Sequence, residues 1–575
     1  MAQKSDLEKS CPNGQAQTEE PISLSLERKS SQSNNKDVPS LFKSGRLHIV
    51  MCILFCELCE RLTYYSIAGN LVLYCTSALD YSSEDAATIS LVFSGTAYFV
   101  PLFGGWLADS FAGKYNTIYG SLLIYMIGAA LLPVISIEFE NFNSGLSLSD
   151  SAKQGYFMFA LITIAIGTGG IKANVGPFGA QQLDDLGETA IQTFFNWFYW
   201  FINMGSTIAF SIGVYVQQEY GFALGYTIPA VSIFAAIIIL AIGKAWYIVH
   251  PPEGSPLTTV SKVVITGASQ CRHPHIDAPE MDSCIDRVKE SYGGKFPDKT
   301  VEEVKSLGRI MPIFATIVLY WTVYFQMSTT YLLQGERMRL IYGNFSIPVA
   351  SLSLFNSIVI LILVPIVDRF VYPFFARCGM PLSKLQRIGI GMIFASISVV
   401  IAAGIEIARK NIMQEGGWME QELAGEKFNA STLSVFAQIP QFTIIGASEV
   451  FTSITGLEFA YSQSPSYMQG VVMGLFLATT GLGSYVGSLL VAIVNSASRA
   501  QGAEWFPDEI NDGYLEYYFF LLAGLMLINF GIFVIIAKKY KYVNQYSSED
   551  ERRRSGGKGS RQGEKTPLLS ESECL

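Results

Sequence analysis

The chain has 575 residues, of which 50% are hydrophobic, 13% aromatic and only 15% charged, against roughly 25% charged in an ordinary soluble protein. That balance excludes a soluble enzyme. The formal net charge of −9 is scattered too evenly to make a nucleic-acid-binding surface.

Residues 1–46 are rich in Ser, Gln, Asn, Lys and Glu without apolar periodicity, and read as a disordered cytosolic tail with no cleavable signal peptide. From Leu47 to Lys538 follow about twelve apolar runs, each near the roughly 20 residues that cross a bilayer. They are continuous, as from Ile228 to Ile242, and not alternating, so helices are predicted and a barrel is not. The expected spans are 47–75, 86–108, 115–136, 155–176, 194–217, 225–247, 309–334, 347–368, 386–407, 433–458, 467–495 and 513–538. A polar loop, 248–308, divides them into bundles 47–247 and 309–538, and its segment Val301-Glu-Glu-Val-Lys305 is expected to form a short amphipathic helix. The fold class is thus an all-α polytopic membrane protein of major facilitator architecture, with substrate held between two six-helix halves.

Lys and Arg are roughly four times as numerous in the tails and even-numbered loops as in the others, which predicts that both termini, including the tail 539–575, are cytosolic. The sequons Asn344-Phe-Ser346 and Asn429-Ala-Ser431 then fall on the opposite side, where Asn344 and Asn429 are candidate glycosylation sites. The nine cysteines suggest no disulfide framework; Cys56-Glu-Leu-Cys59 lies inside an apolar helix and reads as packing. The absence of a GxxxxGK[ST] sequence disfavours an ATP-driven pump.

A charge deep in a span costs at least ~2.5–3.5 kcal/mol, so each needs a reason. The first span carries Glu57, Glu60 and Arg61, followed by Tyr64 and Tyr65; the spacings of three and four put Glu57, Glu60, Arg61 and Tyr64 on adjoining parts of one face. The fourth adds Lys172 and the tenth Glu449. Three carboxylates against two cations leave one negative charge, which one proton neutralises. The arithmetic points to proton coupling, with the carboxylates as carriers, because His48, His250, His273 and His275 lie at span edges or in the loop. The plain alternative is a set of ion pairs that lock helices together.

At these residues the chain resembles the proton-coupled oligopeptide transporter family, solute carrier family 15. Glu57-Leu-Cys-Glu60-Arg61-Leu-Thr-Tyr64-Tyr65 is similar to its ExxER-x-x-YY motif. Gly104-Gly-Trp-Leu-Ala-Asp109-Ser-Phe-Ala-Gly113, Phe194-Phe-Asn-Trp-Phe-Tyr199-Trp-Phe-Ile-Asn203-Met-Gly205 and Gly456-Leu-Glu-Phe-Ala-Tyr-Ser-Gln-Ser-Pro465 resemble three further signatures in the same order. The resemblance implies that Glu57 and Glu60 couple protons with Arg61, that Arg61 and Lys172 meet a peptide carboxylate or a paired Glu, and that Glu449 meets the amino end. It also implies that Tyr64, Tyr65, Tyr199, Asn203, Trp321 and Asn356 line the cavity; without it, such aromatics are more often packing. Arg309 and Asp368, at equivalent depth, form either a gate or a structural pair. No cofactor or metal is implied, only protons as coupling ion.

The second span, Ala86 to Ala108, has no histidine, unlike mammalian plasma-membrane peptide transporters, and only about 25 residues separate spans nine and ten. Both features suggest the peptide/histidine branch, which works on endosomes and lysosomes. Glu564-Lys-Thr-Pro-Leu568-Leu569 fits an acidic dileucine signal, with a clathrin adaptor as partner beside membrane lipid. The function expected is proton-coupled symport of di- and tripeptides, with histidine as a further substrate, from an acidic lumen to the cytosol. The rival readings are an endolysosomal signalling scaffold and a carrier of nitrate or another small anion, with the plasma membrane as the alternative location. Gly470-x-x-x-Gly474 and Gly483-x-x-x-Gly487 in span eleven predict close helix contacts.

Overall fold

The computed structural model describes residues 45–542, apart from 138–148, 187, 253, 272–282, 344, 424–425, 465–467, 501 and 508. The described residues form twelve helical rods. The first bundle contains α1 (Leu47–Gly69, resuming as Leu71–Ala78), α2 (Ser83–Ala112), α3 (Lys114–Ile135), α4 (Asp150–Gln181), α5 (Glu188–Ile208, continuing through a π-turn to Val214–Glu219) and α6 (Phe222–Gly243). The second contains α7 (Asp298–Glu336), α8 (Val349–Arg377), α9 (Lys384–Gln414), α10 (Ile439–Glu449, continuing through Val450–Ile454 to Thr455–Gln463), α11 (Gln469–Ala500) and α12 (Leu515–Lys539).

Nine rods are long and apolar enough to cross a membrane as they stand. The other three are α1, α5 and α10, each broken by a turn or an irregular stretch, and they carry much of the polar chemistry described below. In α1 the break is Asn70, which leaves helical geometry and donates its amide to the Val214 carbonyl and to Gln217 Oε1 of α5, at 3.2 and 3.0 Å. Many outward side chains are large and apolar, including Phe103, Ile127, Phe234 and Ile528, as a lipid environment requires.

The described ends of the chain lie at one face and the β-hairpins at the other. Between the bundles, hydrogen bonds cluster toward the hairpin face. Ser484 donates to the Leu91 carbonyl at 2.6 Å, Thr96 and Tyr485 share a 2.8 Å bond, and Asn495 donates to Glu84. Backbones meet there because two glycines face each other. A Cβ on Gly481 would lie 2.6 Å from the Gly95 carbonyl oxygen; within the second bundle, one on Gly483 would lie 2.4 Å from Trp321 Cβ of α7. Of the glycine pairs noted in the sequence, Gly483 makes such an approach whereas Gly470 faces open space. A second clasp joins α5 to the hairpin β1 (Ile341–Tyr342) and β2 (Phe345–Ser346): Gln218 donates to Ser346 at 3.2 Å, and Tyr215 stacks on Phe345 at 5.7 Å.

Two features differ from the sequence reading. Glu406 and Arg409, near the end of α9, are fully buried ionised groups that the span analysis passed over because they sit at the edge of 386–407. Arg409 Nη2 lies 2.5 Å from Glu406 Oε1, Gln334 donates to Glu406 Oε2 at 3.0 Å, and Gln438 and Gln441 converge on Gln334 Oε1. The hairpin of β3 (Trp418–Leu423) and β4 (Glu426–Ser431) covers this network, with the Gln421 amide donating to the carbonyls of Glu336 and Met338 at the end of α7.

The other difference is the linker. Its separate helix is Pro256–Cys271, while Val301–Lys305, expected to be a short helix of its own, is the first part of α7. Trp106 of α2 donates to Thr258 at 2.9 Å. Asp286 docks the linker on α7, taking Lys289 at 2.7 Å, Lys305 at 3.0 Å and the Ser283 N–H at 2.9 Å. Burial alone would raise its pKa, but these donors outweigh burial and hold the carboxyl down to about 2. A carboxyl depressed in the folded state stabilises above its unfolded pKa and loses that contribution only as pH falls through the folded value. The linker is therefore expected to resist limited proteolysis equally from pH 7 to pH 5, and Asp286→Asn to be cut faster throughout that range. Glu406→Gln is expected to lower stability by about 3–5 kcal/mol, read as a drop in melting temperature, because it strands the buried Arg409.

Candidate functional site

The site begins with α1. At spacings of three and four residues, Glu57, Glu60 and Arg61 all turn inward and are almost completely buried. Arg61 pairs with both carboxylates: its Nε lies 3.0 Å from Glu57 Oε1 and its Nη2 contacts Glu60 Oε2. Close approach of α5 seals the pair, since a Cβ on Gly205 would lie 2.9 Å from Arg61 Cβ. That contact gives a physical reason for the glycine that closes the Phe194–Gly205 motif.

Lys172 of α4 is not paired with either acid within ion-pair distance. Its Nζ is buried without a hydrogen-bond partner among the described residues and sits between two phenol rings, 3.9 Å from the Tyr64 centroid and 3.7 Å from that of Tyr98. Cation–π contacts stabilise an ammonium by about 0.5–2 kcal/mol each, less than the several kcal/mol that desolvation costs. The lysine is thus a buried cationic group that no described acid meets at ion-pair distance.

The opposite pole lies in the second bundle. Glu449 of α10, one residue before the π-turn Val450–Ile454, accepts a 2.8 Å hydrogen bond from Tyr324 of α7 and a 3.3 Å bond from Asn356 of α8, both on Oε2. Its neighbours among the described residues include no Lys or Arg. Trp321 lies edge-on to Tyr324, with centroids 5.2 Å apart, and neither its buried indole N–H nor Asn356 Oδ1 has a partner among the described residues. The two poles meet where Tyr98 of α2 contacts Phe325 of α7, at 6.1 Å. Tyr65 packs against Tyr64 and Phe210, within electrostatic reach of Arg61 and Glu449.

Tyr199 and Asn203 stand further off. Tyr199 is half exposed on α5, and Asn203 donates to its carbonyl at 2.8 Å within the same helix. Arg309 is exposed on α7, while the side chain of Asp368, in the π-turn of α8, lies outside the described residues. Asn344, Glu564, Leu568 and Leu569 also lie outside them; Asn429 is exposed on β4. Sequence reasoning missed Tyr98 and Tyr324. A signal existed for the second, which follows Trp321 by three positions and so shares its face.

A buried cation without an anion, facing a carboxylate without a cation across aromatic walls, matches the two ends of a zwitterion. Similarity to known proteins extends over most of the chain. A family model described as PTR2, the POT family, matches residues 115–506. Solute carrier family 15 member 3 of Mus musculus is 32% identical over 531 residues, covering 86% of this chain and 91% of its own. Protein NRT1/PTR family 8.1 of Arabidopsis thaliana is 35% identical over 549 residues, with 87% and 95% covered. The crystal structure of an auto-inhibited POT family peptide transporter superposes with a TM-score of 0.69 at 25% identity, over 87% of this chain and 98% of that one. PepTSo, another POT family transporter, gives 0.66 at 26% identity, with 86% and 98% covered.

The two cations should respond unequally to removal. Arg61→Met leaves two facing carboxylates buried and is expected to cost about 3–5 kcal/mol, whereas Lys172→Met removes a charge that no acid meets at ion-pair distance and should lower the melting temperature of the purified protein less.

Proposed function

Because this chain belongs to the POT family of transporters, we propose that it is a proton-coupled symporter of di- and tripeptides, and of histidine with them. It moves them from an acidic endolysosomal lumen to the cytosol by rocking of its two bundles. The observation that carries this reading is the pair of incomplete poles, Lys172 without an anion on one bundle and Glu449 without a cation on the other. A bound zwitterion completes both, and so links the bundles only when substrate is present.

Glu57 and Glu60 carry the proton in this scheme. Both face one guanidinium, so protonating either frees Arg61 from one partner and lets it share a substrate carboxylate with Lys172. Tyr64, Tyr65, Tyr199, Asn203, Trp321 and Asn356 form the remaining walls. Two pH units supply ~2.7 kcal/mol per proton, enough for about 100-fold accumulation at one proton per substrate. Arg309 with Asp368 forms an inner gate, Asn344 and Asn429 carry glycans on the hairpin face, and Glu564 with Leu568 and Leu569 directs the protein to endosomes and lysosomes. The small-anion alternative fits Lys172 but sets an unneutralised Glu449 beside an anionic cargo.

The test uses the Leu568→Ala, Leu569→Ala variant, expected at the cell surface, and measures labelled dipeptide and histidine uptake at external pH 5.5 and 7.4 with and without a protonophore. Acid-stimulated, protonophore-sensitive uptake that dipeptides compete is expected, and Glu60→Gln should abolish it at normal protein abundance. Folded surface protein with no uptake would favour the scaffold; uptake competed by nitrate and not by peptides would favour the anion reading.

A further inference from the structure

The two hydrogen bonds on Glu449 fall on the same oxygen. Tyr324 Oη and Asn356 Nδ2 both donate to Oε2, whereas no described side chain donates to Oε1. A carboxylate held this way cannot rotate freely, and its lone pairs on Oε1 keep one direction. The phenol that does most of the holding is itself fixed, edge-on to Trp321 at 5.2 Å and to Phe325 at 5.9 Å. Tyr320, one turn earlier, is anchored to α10 by the 3.1 Å bond from Ser448, so α7 and α10 are tied at the level of the acid.

We propose that Tyr324 is a specificity-determining positioning residue: by pinning Oε2 it presents Oε1 of Glu449 as a fixed receptor for the ammonium group of a peptide, and so sets the preference for ligands with a free amine. This rests on the peptide reading above. Orientation matters because an ammonium makes a short, directional bond to a carboxylate, and a receptor that must first be ordered binds more weakly.

The test is a binding measurement on the purified full chain, so that it does not depend on transport. Affinity is measured by ligand-induced thermal stabilisation for dialanine and for propionyl-alanine, which has the same skeleton without the amine. The wild type is expected to prefer dialanine. Tyr324→Phe, which keeps the ring packing, should weaken dialanine about tenfold and change propionyl-alanine less than twofold. In a Glu449→Gln background the same substitution should add nothing, because the group it positions is gone. Equal loss for both ligands, or no loss for either, overturns the proposal, and so does a wild type that binds neither. Binding with the expected discrimination but no proton-driven uptake would leave Tyr324 in its role and overturn the transport reading alone.

Discussion

A buried charge must find compensation, and the organisation of this protein follows from how incompletely it does so. Arg61 satisfies two carboxylates on its own helix, which leaves Lys172 to rest on phenol rings and Glu449 to rest on neutral donors. Had Lys172 paired with Glu60, the first bundle would hold a closed ion pair and nothing for an anion to do. The ring sandwich instead keeps the ammonium in place without cancelling it. Glu449 is treated likewise, held by a phenol and an amide that fix it without bringing a charge of opposite sign.

Contrast the second buried ion pair. Glu406 and Arg409 are closed on each other and on Gln334, Gln438 and Gln441, under a hairpin that excludes water. One bundle thus contains both uses of charge, a completed network near the hairpin face and an unfinished pole deeper in α10. The difference lies in partners and not in burial: both charges of the first have an opposite charge beside them inside the protein.

Much of the fold was legible because hydropathy reports solvent, and a bilayer imposes that signal over some twenty residues at a time. Glu57, Glu60, Arg61, Lys172 and Glu449 stood out for the same reason, as charges where charges are expensive. Glu406 and Arg409 escaped because a charge at the edge of a span reads as the boundary. Tyr98 escaped because an aromatic residue in an apolar run carries no mark of whether it packs or binds, and Tyr324 was marked only by its spacing of three from Trp321. The linker helix Pro256–Cys271 was hidden in a polar loop, since a few apolar residues docked on neighbouring helices give a weak pattern. The π-turns after Glu449 and in α5 have no simple signature, as they depend on how neighbouring helices displace the backbone.

The glycine crossing of α2 and α11 has a consequence for how the molecule is made. Its hydrogen bonds join residues 389, 393 and 411 positions apart. At about 5–20 residues per second of synthesis, α2 waits on the order of 20–80 s for its partner. Through that interval Gly95 presents bare backbone, with Ser94 and Thr96 beside it, and nothing of α11 yet exists to cover it. The first bundle must therefore persist in the membrane as a half-molecule, with α3, α4 and α6 packed around α1 before the seam can close. The late seam makes assembly of the two halves a single terminal event, and until then it leaves bare backbone on a helix that the finished protein packs against its other bundle.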